Sequence, residues 1–294
     1  MDERTWLAER FEEQRTHLRA VAYKMLGSLT EADDAVQEAW LRLDRAGADD
    51  VDNLAAWLTT VVARVCLNML RSRKSRREDP IEVHMPDPVI GPAEGGDPEH
   101  EALLADSVGL ALLVVLDTLT PAERLAFVLH DLFAVPFEEI APMLERSPDA
   151  ARQLASRARR RVRGAAPAPD PDLRRQWEVV DAFLAAARGG DLAGLVAVLD
   201  PEVVLRSDGG TARARYNVVL RGARTVAEQA SLAQRLAPFA HRALVNGAAG
   251  IVSTRNGQPF SLAAITVRDG KIVEIDILAD PERLRRLDLS VLDG

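Results

Sequence analysis

Apolar residues recur at helical spacing through the first quarter of the chain and predict three helices there. The first carries Leu7 on its inner face and ends at Gly27. The second has an apolar stripe that runs to Leu43. The third can be capped by Asp52 or Asn53 and continues to about Arg73. A first all-helical module is therefore expected.

A second group of helical signals begins near residue 99. The pattern predicts one helix over about 99–117 and another that continues through Phe133. Thr120, Pro121 and Glu123 supply the cap, the first-turn proline and the capping-box acid for the latter helix. These helices lead into two shorter ones and complete a second all-helical module.

Residues 136–163 have the pattern of a helix-turn-helix. Ser147 can cap the second helix, Pro148 fits its first position, and Asp149 faces the positive end of its dipole. The apolar face of that helix consists of Ala151, Leu154, Ala155, Ala158 and Val162. The opposite face consists of Arg152, Gln153, Ser156, Arg157, Arg160 and Arg163. In such a motif the second helix enters the DNA major groove, where arginine suits guanine edges and glutamine suits adenine edges.

The alternative for this segment is an arginine-rich surface helix that only closes a helical domain. No acidic residue follows Asp149 through Arg163, so the arginines lack acidic partners further along their own helix. A solvated structural helix would alternate charges, so the pattern favours DNA binding. A second basic group at the end of the third helix predicts a second DNA surface, and it contains Arg64, Arg71, Arg73, Lys74, Arg76 and Arg77.

The pattern changes in the last 120 residues or so, where strand signals appear. Segments 78–98 and 164–173 are rich in Pro, Gly or Ala and predict linkers between modules. Beyond the second linker, an amphipathic helix over 174–188 precedes several strand-like runs. Asp269 and Gly270 form a strong hairpin signal. This part predicts an α+β domain with a curved antiparallel sheet.

Composition and charge narrow the classes of function. The net charge of −8 and the pI of about 5.3 exclude a general nucleic-acid coat, so DNA affinity must come from local patches. Cys66 is the single cysteine, which excludes an internal disulfide. No metal ligands accompany His84, so it is expected in solvent, and neither a metal nor a cofactor is expected. The charged N-terminus and the short apolar run from Leu110 to Leu116 favour a soluble, cytoplasmic protein without membrane insertion.

Several motifs together resemble a known family. DDAVQEAWLRL, NMLRSRKSRR, LTPAERLAFVLHDLFAVPFEEIAPML and RSPDAARQLASRARRRV are similar to regions two and four of extracytoplasmic-function RNA polymerase sigma factors. The SDGG turn and the DPERL sequence resemble the SnoaL-like extension of one group of these factors. The resemblance implies a multidomain fold of two all-α modules, region two (1–77) and region four with its helix-turn-helix (99–163), followed by an α+β SnoaL-like cone domain (174–294).

The resemblance also implies an alternative sigma factor, and not an enzyme, that binds core RNA polymerase and directs promoter-specific transcription initiation. Docking on the polymerase is implied for Asp34, Gln37, Glu38 and Leu41. Recognition of the −10 element is implied for Arg64, Asn68, Arg71, Arg73 and Lys74. Recognition of the −35 element is implied for Arg146, Ser147, Asp149, Arg152, Gln153, Ser156, Arg157 and Arg160.

The C-terminal domain is expected to modulate this activity. The linker after Arg163 is short, so even weak contacts between the domain and the other modules would be populated. We expect the contact to consist of Pro86, Asp87 and Pro88 on the linker side, and of Asp208, Gly209, Gly210, Asp280, Pro281 and Leu284 on the domain side. The alternative for Asp208 to Gly210 is a simple turn that ends a strand. The chain departs from the family pattern at Asn68 and Met69, where relatives tend to carry an Asp-Arg pair, and at Thr211 and Ala212, which replace a Gly and a Lys.

Two other functions remain open on the sequence. A ligand-responsive DNA-binding regulator would share the helix-turn-helix but would leave the first module and its basic surface unexplained. An enzyme is the second alternative, since SnoaL-like folds also host cyclases and isomerases. His241, Asp208 and Asp276 could supply acid-base groups for such chemistry. Whether a separate anti-sigma factor exists also stays open.

Overall fold

A computed structural model describes residues 3–46, 53–76, 84–93, 109–165, 169–232 and 234–287. The chain divides into two compact units. The first combines Met1–Pro80 with Val115–Ala165 and so contains most of both helical modules. The second combines Ile81–Val114 with Ala166–Gly294, and it joins the first linker to the C-terminal domain.

Three helices form the first module: α1 (Glu3–Leu26), α2 (Leu29–Ala46) and α3 (Leu54–Arg76). Gly27 ends α1 with a φ of 70°, a left-handed conformation that glycine adopts without steric cost. The Asn53 side chain accepts a hydrogen bond from the Ala56 amide at 3.1 Å, as expected for the cap of α3. Between the helices, the rings of Phe11 and Trp40 lie 5.1 Å apart.

Apolar content alone would allow part of α3 to cross a membrane. The segment Leu54–Arg73 is long and apolar enough by length and composition. In the structure, however, Leu58, Val62 and Leu67 of this segment are fully buried, and α3 packs on α1 and α2. The apolar residues therefore serve the core of a helical module. Burial of Cys66 in the same core raises its pKa to about 12, which keeps the thiol protonated.

The second module contains α4 (Leu110–Asp117), α5 (Pro121–Phe127), a π-helical turn (Val128–Leu132), α6 (Phe137–Leu144) and α7 (Pro148–Ala165). The capping box predicted at α5 is present, because the Thr120 hydroxyl accepts from the Glu123 amide at 3.3 Å and Glu123 accepts from the Thr120 amide at 3.1 Å. The helix predicted to run through Phe133 continues to Leu132, and its last turn is π-helical. The backbone changes to π-helical hydrogen bonding after Phe127.

The two helical modules contact each other within the first unit. The guanidinium of Arg124 in α5 is 2% exposed, forms an ion pair with Asp117, and donates from Nε to the Lys24 carbonyl in α1 at 3.2 Å. The Phe133 ring lies edge-on to His17 at 5.3 Å and beneath Lys24 Nζ at 5.0 Å. A buried arginine with these partners is costly to separate from them, because its charge would lose its compensation.

The second unit is an α+β domain with a seven-stranded sheet in the order β1-β4-β5-β6-β7-β2-β3. The strands are β1 (Ile90–Gly91), β2 (Leu199–Asp208), β3 (Val218–Arg221), β4 (Ala240–Val245), β5 (Ala248–Arg255), β6 (Gln258–Arg268) and β7 (Lys271–Leu278). The helices are α8 (Leu173–Gly189), α9 (Leu192–Val198), α10 (Ala223–Leu232) and α11 (Pro281–Leu284), with 3-10 turns at Ala214–Tyr216 and Gln234–Phe239.

The expectation of an antiparallel sheet was only partly right. Strands β4 to β7 form an antiparallel meander, and Asp269 and Gly270 make its last hairpin with φ values of 53° and 72°. However, β2 pairs with β7 in parallel, with Leu205 opposite Ile275. These two strands are far apart in the sequence, so no short turn signals their pairing. One face of the sheet packs on α8, α9 and α10 through an apolar core that includes Val180, Leu195 and Val226.

Candidate nucleic-acid interface and linker-docking site

The helix-turn-helix presents one side of α7 to solvent. Ser147 caps α7 by accepting from the Ala150 amide at 3.2 Å, and Glu145 ends α6 in a left-handed conformation with a φ of 55°. Ala151, Ala155 and Ala158 are buried. The residues predicted to face DNA are exposed, and they are Arg146, Ser147, Asp149, Arg152, Gln153, Ser156, Arg157 and Arg160. The small alanines bring α7 close to its neighbours and leave the polar face free for a groove.

The arginines of α7 have more acidic partners than the sequence indicates. Arg152 donates to Asp149 at 2.6 Å within the helix, and its guanidinium lies 5.3 Å from the Phe137 ring. Arg157 and Arg161 both donate to Glu123 of α5 at 3.3 Å. The expectation that these arginines lack acidic partners therefore applies only to the sequence downstream of Asp149. Their partners lie mainly on other elements of the fold.

Glu123 is a largely buried carboxylate shared by three partners. Its Oε2 accepts from the Thr120 hydroxyl at 2.8 Å and from Arg161, and its Oε1 accepts from Arg157. Burial raises the pKa of Glu123, but the Thr120 hydrogen bonds and the two arginines lower it by more. The carboxylate is therefore ionised at neutral pH. On the other side of α7, Arg159 donates to Asp131 at 2.5 Å.

The basic end of α3 divides into exposed and engaged residues. Arg64, Asn68 and Arg71 are exposed. Arg73 instead forms an ion pair with Glu31 of α2 and donates to the Leu26 carbonyl at 3.1 Å, so it joins the ends of α1 and α3. The side chain of Lys74 lies outside the described residues, as do Arg77 and the side chain of Arg76. Three of the five predicted −10 residues are thus exposed, although Arg64 also donates to the Pro142 carbonyl of α6 at 3.5 Å.

The residues expected to dock on polymerase share one side of α2. Asp34, Gln37 and Leu41 are exposed, and Glu38 is partly exposed while it pairs with Arg42 at 2.9 Å. Leu41 is 38% exposed, which is high for a leucine in a helix with a well-buried opposite face. The patch combines charge with one apolar side chain, as protein-binding surfaces commonly do.

The first linker docks on the C-terminal domain through a polar cluster. Asp208 at the end of β2 is 2% exposed and accepts from the Met85 amide at 2.9 Å. Arg283 of α11 donates to Asp208 at 2.8 Å, to Asp87 at 2.8 Å and to the Met85 carbonyl at 2.5 Å. Met85, Pro86 and Pro88 are buried. We call Asp208, Asn246 and Arg283 the linker-docking site.

A strand pairing extends the same contact along the linker. Ile90 pairs with Val245 and Gly91 with Leu244, so β1 adds to the free edge of β4. Asn246 is 3% exposed, donates its amide to the Val89 carbonyl at 2.8 Å, and accepts from the Val89 amide at 3.1 Å. Backbone pairing of this kind depends little on side-chain identity, which explains why no strand signal marks the linker sequence.

The other domain residues of the expected contact make interactions within the domain that surround Asp208 and Arg283. A Cβ on Gly209 would collide with the Arg213 carbonyl, and one on Gly210 would collide with the Asp280 carboxylate. Gly210 also has a φ of 61°. Asp280 caps α11 by accepting from the Glu282 amide at 2.8 Å, and Pro281 and the buried Leu284 belong to the same short helix. These residues hold Asp208 and Arg283 in position.

His84 lies at the edge of the linker-docking site. It is exposed, as expected, but its Nδ1 lies 4.0 Å from Asp208 Oδ2. Among the described residues, no group of three or more His, Cys, Asp or Glu is arranged to hold a metal ion.

The three candidate acid-base residues of the enzyme alternative are not brought together as a catalytic group. Asp208 is occupied by the linker and Arg283, and His241 is exposed on β4. Asp276 is 1% exposed and shares Arg206 with Glu274, with Arg206 Nη1 at 3.1 Å from the Asp276 carboxylate. Burial raises the pKa of Asp276 to about 6, and Arg206 opposes that rise.

Sequence reasoning did not find the contacts of Asn246 and Glu123. Arg283 lies inside the DPERL motif, whose residues were predicted to contact the linker. Asn246 precedes Gly247 between two strands, a turn signal that gives no hint of the linker. Glu123 was recognised only as a capping-box acid. Its ion pairs with α7 depend on the packing of α5 against α7, which no local pattern reveals.

The chain is similar to known proteins of one family. Residues 11–76 match the family described as Sigma-70 region 2, and residues 109–162 match Sigma-70, region 4. The chain is 41% identical over 288 residues to the ECF RNA polymerase sigma factor SigJ of Mycobacterium tuberculosis, covering 93% of this chain and 91% of that protein. It is 35% identical to a probable ECF sigma factor, SigI, of the same organism, covering 95% of each. The crystal structure of SigJ superposes with a TM-score of 0.77 at 37% identity, covering 96% of this chain and all of that one.

Proposed function

This chain belongs to the extracytoplasmic-function RNA polymerase sigma factors, and from that membership we propose which of its residues bind the polymerase and which recognise the promoter. The protein binds core RNA polymerase and promoter DNA and directs the start of transcription. The exposed side of α2, with Asp34, Gln37, Glu38 and Leu41, is the surface that docks on the polymerase. A charged surface with one apolar residue suits reversible binding, as sigma exchange requires.

Promoter recognition is divided between α3 and α7. Arg64, Asn68 and Arg71 contact the −10 element, where exposed cations and an amide can hold an opened strand. Arg152, Gln153 and Ser156 read base edges of the −35 element from the first half of α7, and Arg160 contacts phosphate further along. The exposed Gln153 and Arg160, opposite a stripe of buried alanines, carry this proposal.

Promoter binding requires the first unit to open. The −10 and −35 elements are separated by about 25 base pairs, which span about 85 Å of duplex at about 3.4 Å each. In this structure Arg64 of α3 lies within 3.5 Å of the Pro142 carbonyl in α6. Two modules in contact cannot reach both elements at once. We therefore propose that core polymerase binds the separated form and shifts the population toward it.

The C-terminal SnoaL-like domain modulates this activity by holding the linker. The contacts of Asp208, Asn246 and Arg283 with residues 85–91 support the proposal, because they limit the conformations of the chain that joins the two helical modules. Asp208, a candidate acid-base residue, is committed to that contact, which favours control over catalysis. The protein acts in the cytoplasm, where its polymerase and DNA partners are found, and needs no cofactor for this role.

Reconstituted transcription tests the assignment. The full-length chain with core polymerase is used to select promoters from a DNA pool randomised over both elements. Gln153→Ala should then relax preference at one −35 position, by about 1–3 kcal/mol of discrimination if the contact is bidentate. Arg160→Gln should reduce the salt slope of binding by about one unit without changing preference. Selection of no −35 sequence by the wild-type holoenzyme would overturn the role of α7.

A truncated chain tests the proposed influence of the C-terminal domain on initiation. A chain ending after Arg163 is compared with the full-length protein in the same reconstituted reaction. We expect promoter output or promoter preference to differ between the two. Identical output and preference would show that the domain has no influence on initiation under these conditions.

A further inference from the structure

Three arginines of α7 pair with acidic residues of the preceding elements. Arg157 and Arg161 donate to Glu123 of α5, each at 3.3 Å. Arg159 donates to Asp131 in the π-helical turn at 2.5 Å. The Glu123 and Asp131 side chains are 7% and 21% exposed, so both carboxylates are held mostly within the module.

The positions of these arginines around the helix axis are informative. Successive residues of an α-helix are rotated by about 100°, so Arg161 lies about 40° from Arg157, whereas Arg159 lies about 160° away on the far side. By the same rule, Gln153, Ser156 and Arg160 fall within the sector between these two edges, about 40–100° from Arg157. The two acids therefore hold α7 at both edges of its exposed face.

We propose that Glu123 and Asp131 are positioning residues that fix the rotation of the recognition helix and thereby set −35 sequence preference. This inference rests on the proposed function of α7. Under this proposal Arg157, which the sequence assigns to DNA contact, acts with Arg159 and Arg161 to hold α7 against α5 and the π-helical turn.

Small rotations matter at a base edge. Side-chain ends lie about 5–6 Å from the axis of a helix, so a rotation of about 20° moves them by about 2 Å. Hydrogen bonds weaken steeply over such a displacement. The buried alanine stripe limits translation of α7, but small methyl groups resist rotation less than large interdigitating side chains would. Charged contacts on both edges supply the missing constraint.

The experiment uses isosteric neutral variants. Glu123→Gln keeps the capping box, which accepts Glu or Gln at this position, and weakens only the ion pairs with Arg157 and Arg161. Asp131→Asn does the same for Arg159. Each full-length variant is combined with core polymerase and tested on the −35 sequence selected by the wild-type protein and on its single-position variants. Thermal unfolding of each variant is measured alongside.

We expect each variant to lose about tenfold in discrimination at one or more −35 positions, comparable to the loss of one base contact. Affinity for unrelated DNA should stay equal or rise, because a negative charge next to a basic helix has been removed. The unfolding temperature should change little, because ion pairs with half-exposed arginines contribute weakly to stability. A purely structural role would instead lower the unfolding temperature and all DNA affinities together.

Glu139→Gln is the matched control. It removes the same charge from the same module at an exposed position of α6. This variant should change affinity for all DNA alike and leave discrimination unchanged. The inference is overturned if Glu123→Gln and Asp131→Asn behave like this control, or if they lose stability in proportion to discrimination. If the wild-type holoenzyme itself shows no −35 preference, the proposed function of α7 fails first, and the two failures are distinguishable.

Discussion

Replacing Arg283 with alanine should release the linker from the C-terminal domain. The guanidinium lies between two carboxylates, at 2.8 Å from Asp208 and 2.8 Å from Asp87, and it also binds the Met85 carbonyl. Its side chain is 15% exposed and that of Asp208 is 3% exposed. In the variant, Asp208 stays a buried anion that accepts from the backbone amides of Met85 and Gly210, with His84 Nδ1 at 4.0 Å.

The magnitude follows from these contacts. Removing one partner of a buried ion pair costs about 3–5 kcal/mol. Asp87 is 26% exposed, so its ion pair with Arg283 contributes less to the docking free energy. The two backbone amides that donate to Asp208 remain in the variant. We therefore expect about 3 kcal/mol of lost docking free energy, which is about a hundredfold in the docking equilibrium.

Amide hydrogen exchange in the full-length protein measures this loss directly. The amides of Met85, Val89 and Asn246 are all donated across the contact between linker and domain. In Arg283→Ala their exchange should accelerate by up to about a hundredfold, whereas amides in β5, β6 and β7, which do not pair with the linker, should keep their protection. Transcription by the variant should move toward that of the chain ending after Arg163.

A matched arginine provides the control. Arg224 on α10 is 84% exposed and pairs with Glu228 one turn away. Arg224→Ala removes the same side chain from the same domain, and exposed pairs of this kind contribute about 1 kcal/mol or less. Exchange at the linker amides should not change. If Arg283→Ala also leaves Met85 and Val89 protected, Arg283 does not hold the linker and our reasoning about the docking site is refuted.

Three further variants probe other parts of the molecule. Burial raises the pKa of Asp276 to about 6, so the folded state binds this proton more tightly and the free energy of unfolding should fall as pH rises from about 4 to 6. Asp276→Asn should remove about 3 kcal/mol of that dependence, as measured by urea unfolding across this range. Gly210→Ala should destabilise the domain by at least about 1–2 kcal/mol in thermal unfolding, because Gly210 has a φ of 61° and a Cβ would meet Asp280. Glu38→Lys should change stability by about half a kcal/mol or less but weaken binding to core polymerase in a pull-down, and normal binding by the folded variant would exclude that face of α2.

Much of the fold could be predicted because its signals are local. The capping box at Thr120 and Glu123, the cap at Ser147 and the hairpin at Asp269 and Gly270 each depend on a few neighbouring residues, and the structure contains all of them. The order of two helical modules and a sheet domain was confirmed, as was the sigma-factor family. The exposed polar face of α7 also followed from helical periodicity alone.

The functional site depended more on tertiary structure. The parallel pairing of β2 with β7 and the docking of the linker on β4 join residues far apart in the sequence. The ion pairs of Arg73 with Glu31 and of Arg157 with Glu123 give two residues that were predicted to contact DNA acidic partners within the protein. A helical pattern determines the direction of a side chain relative to its own helix. The residue with which that side chain pairs depends on which other helix packs beside its own. The sequence thus determined which faces carry charge, and only the packing of α5 on α7 and of the linker on the sheet decided which of those charges meet.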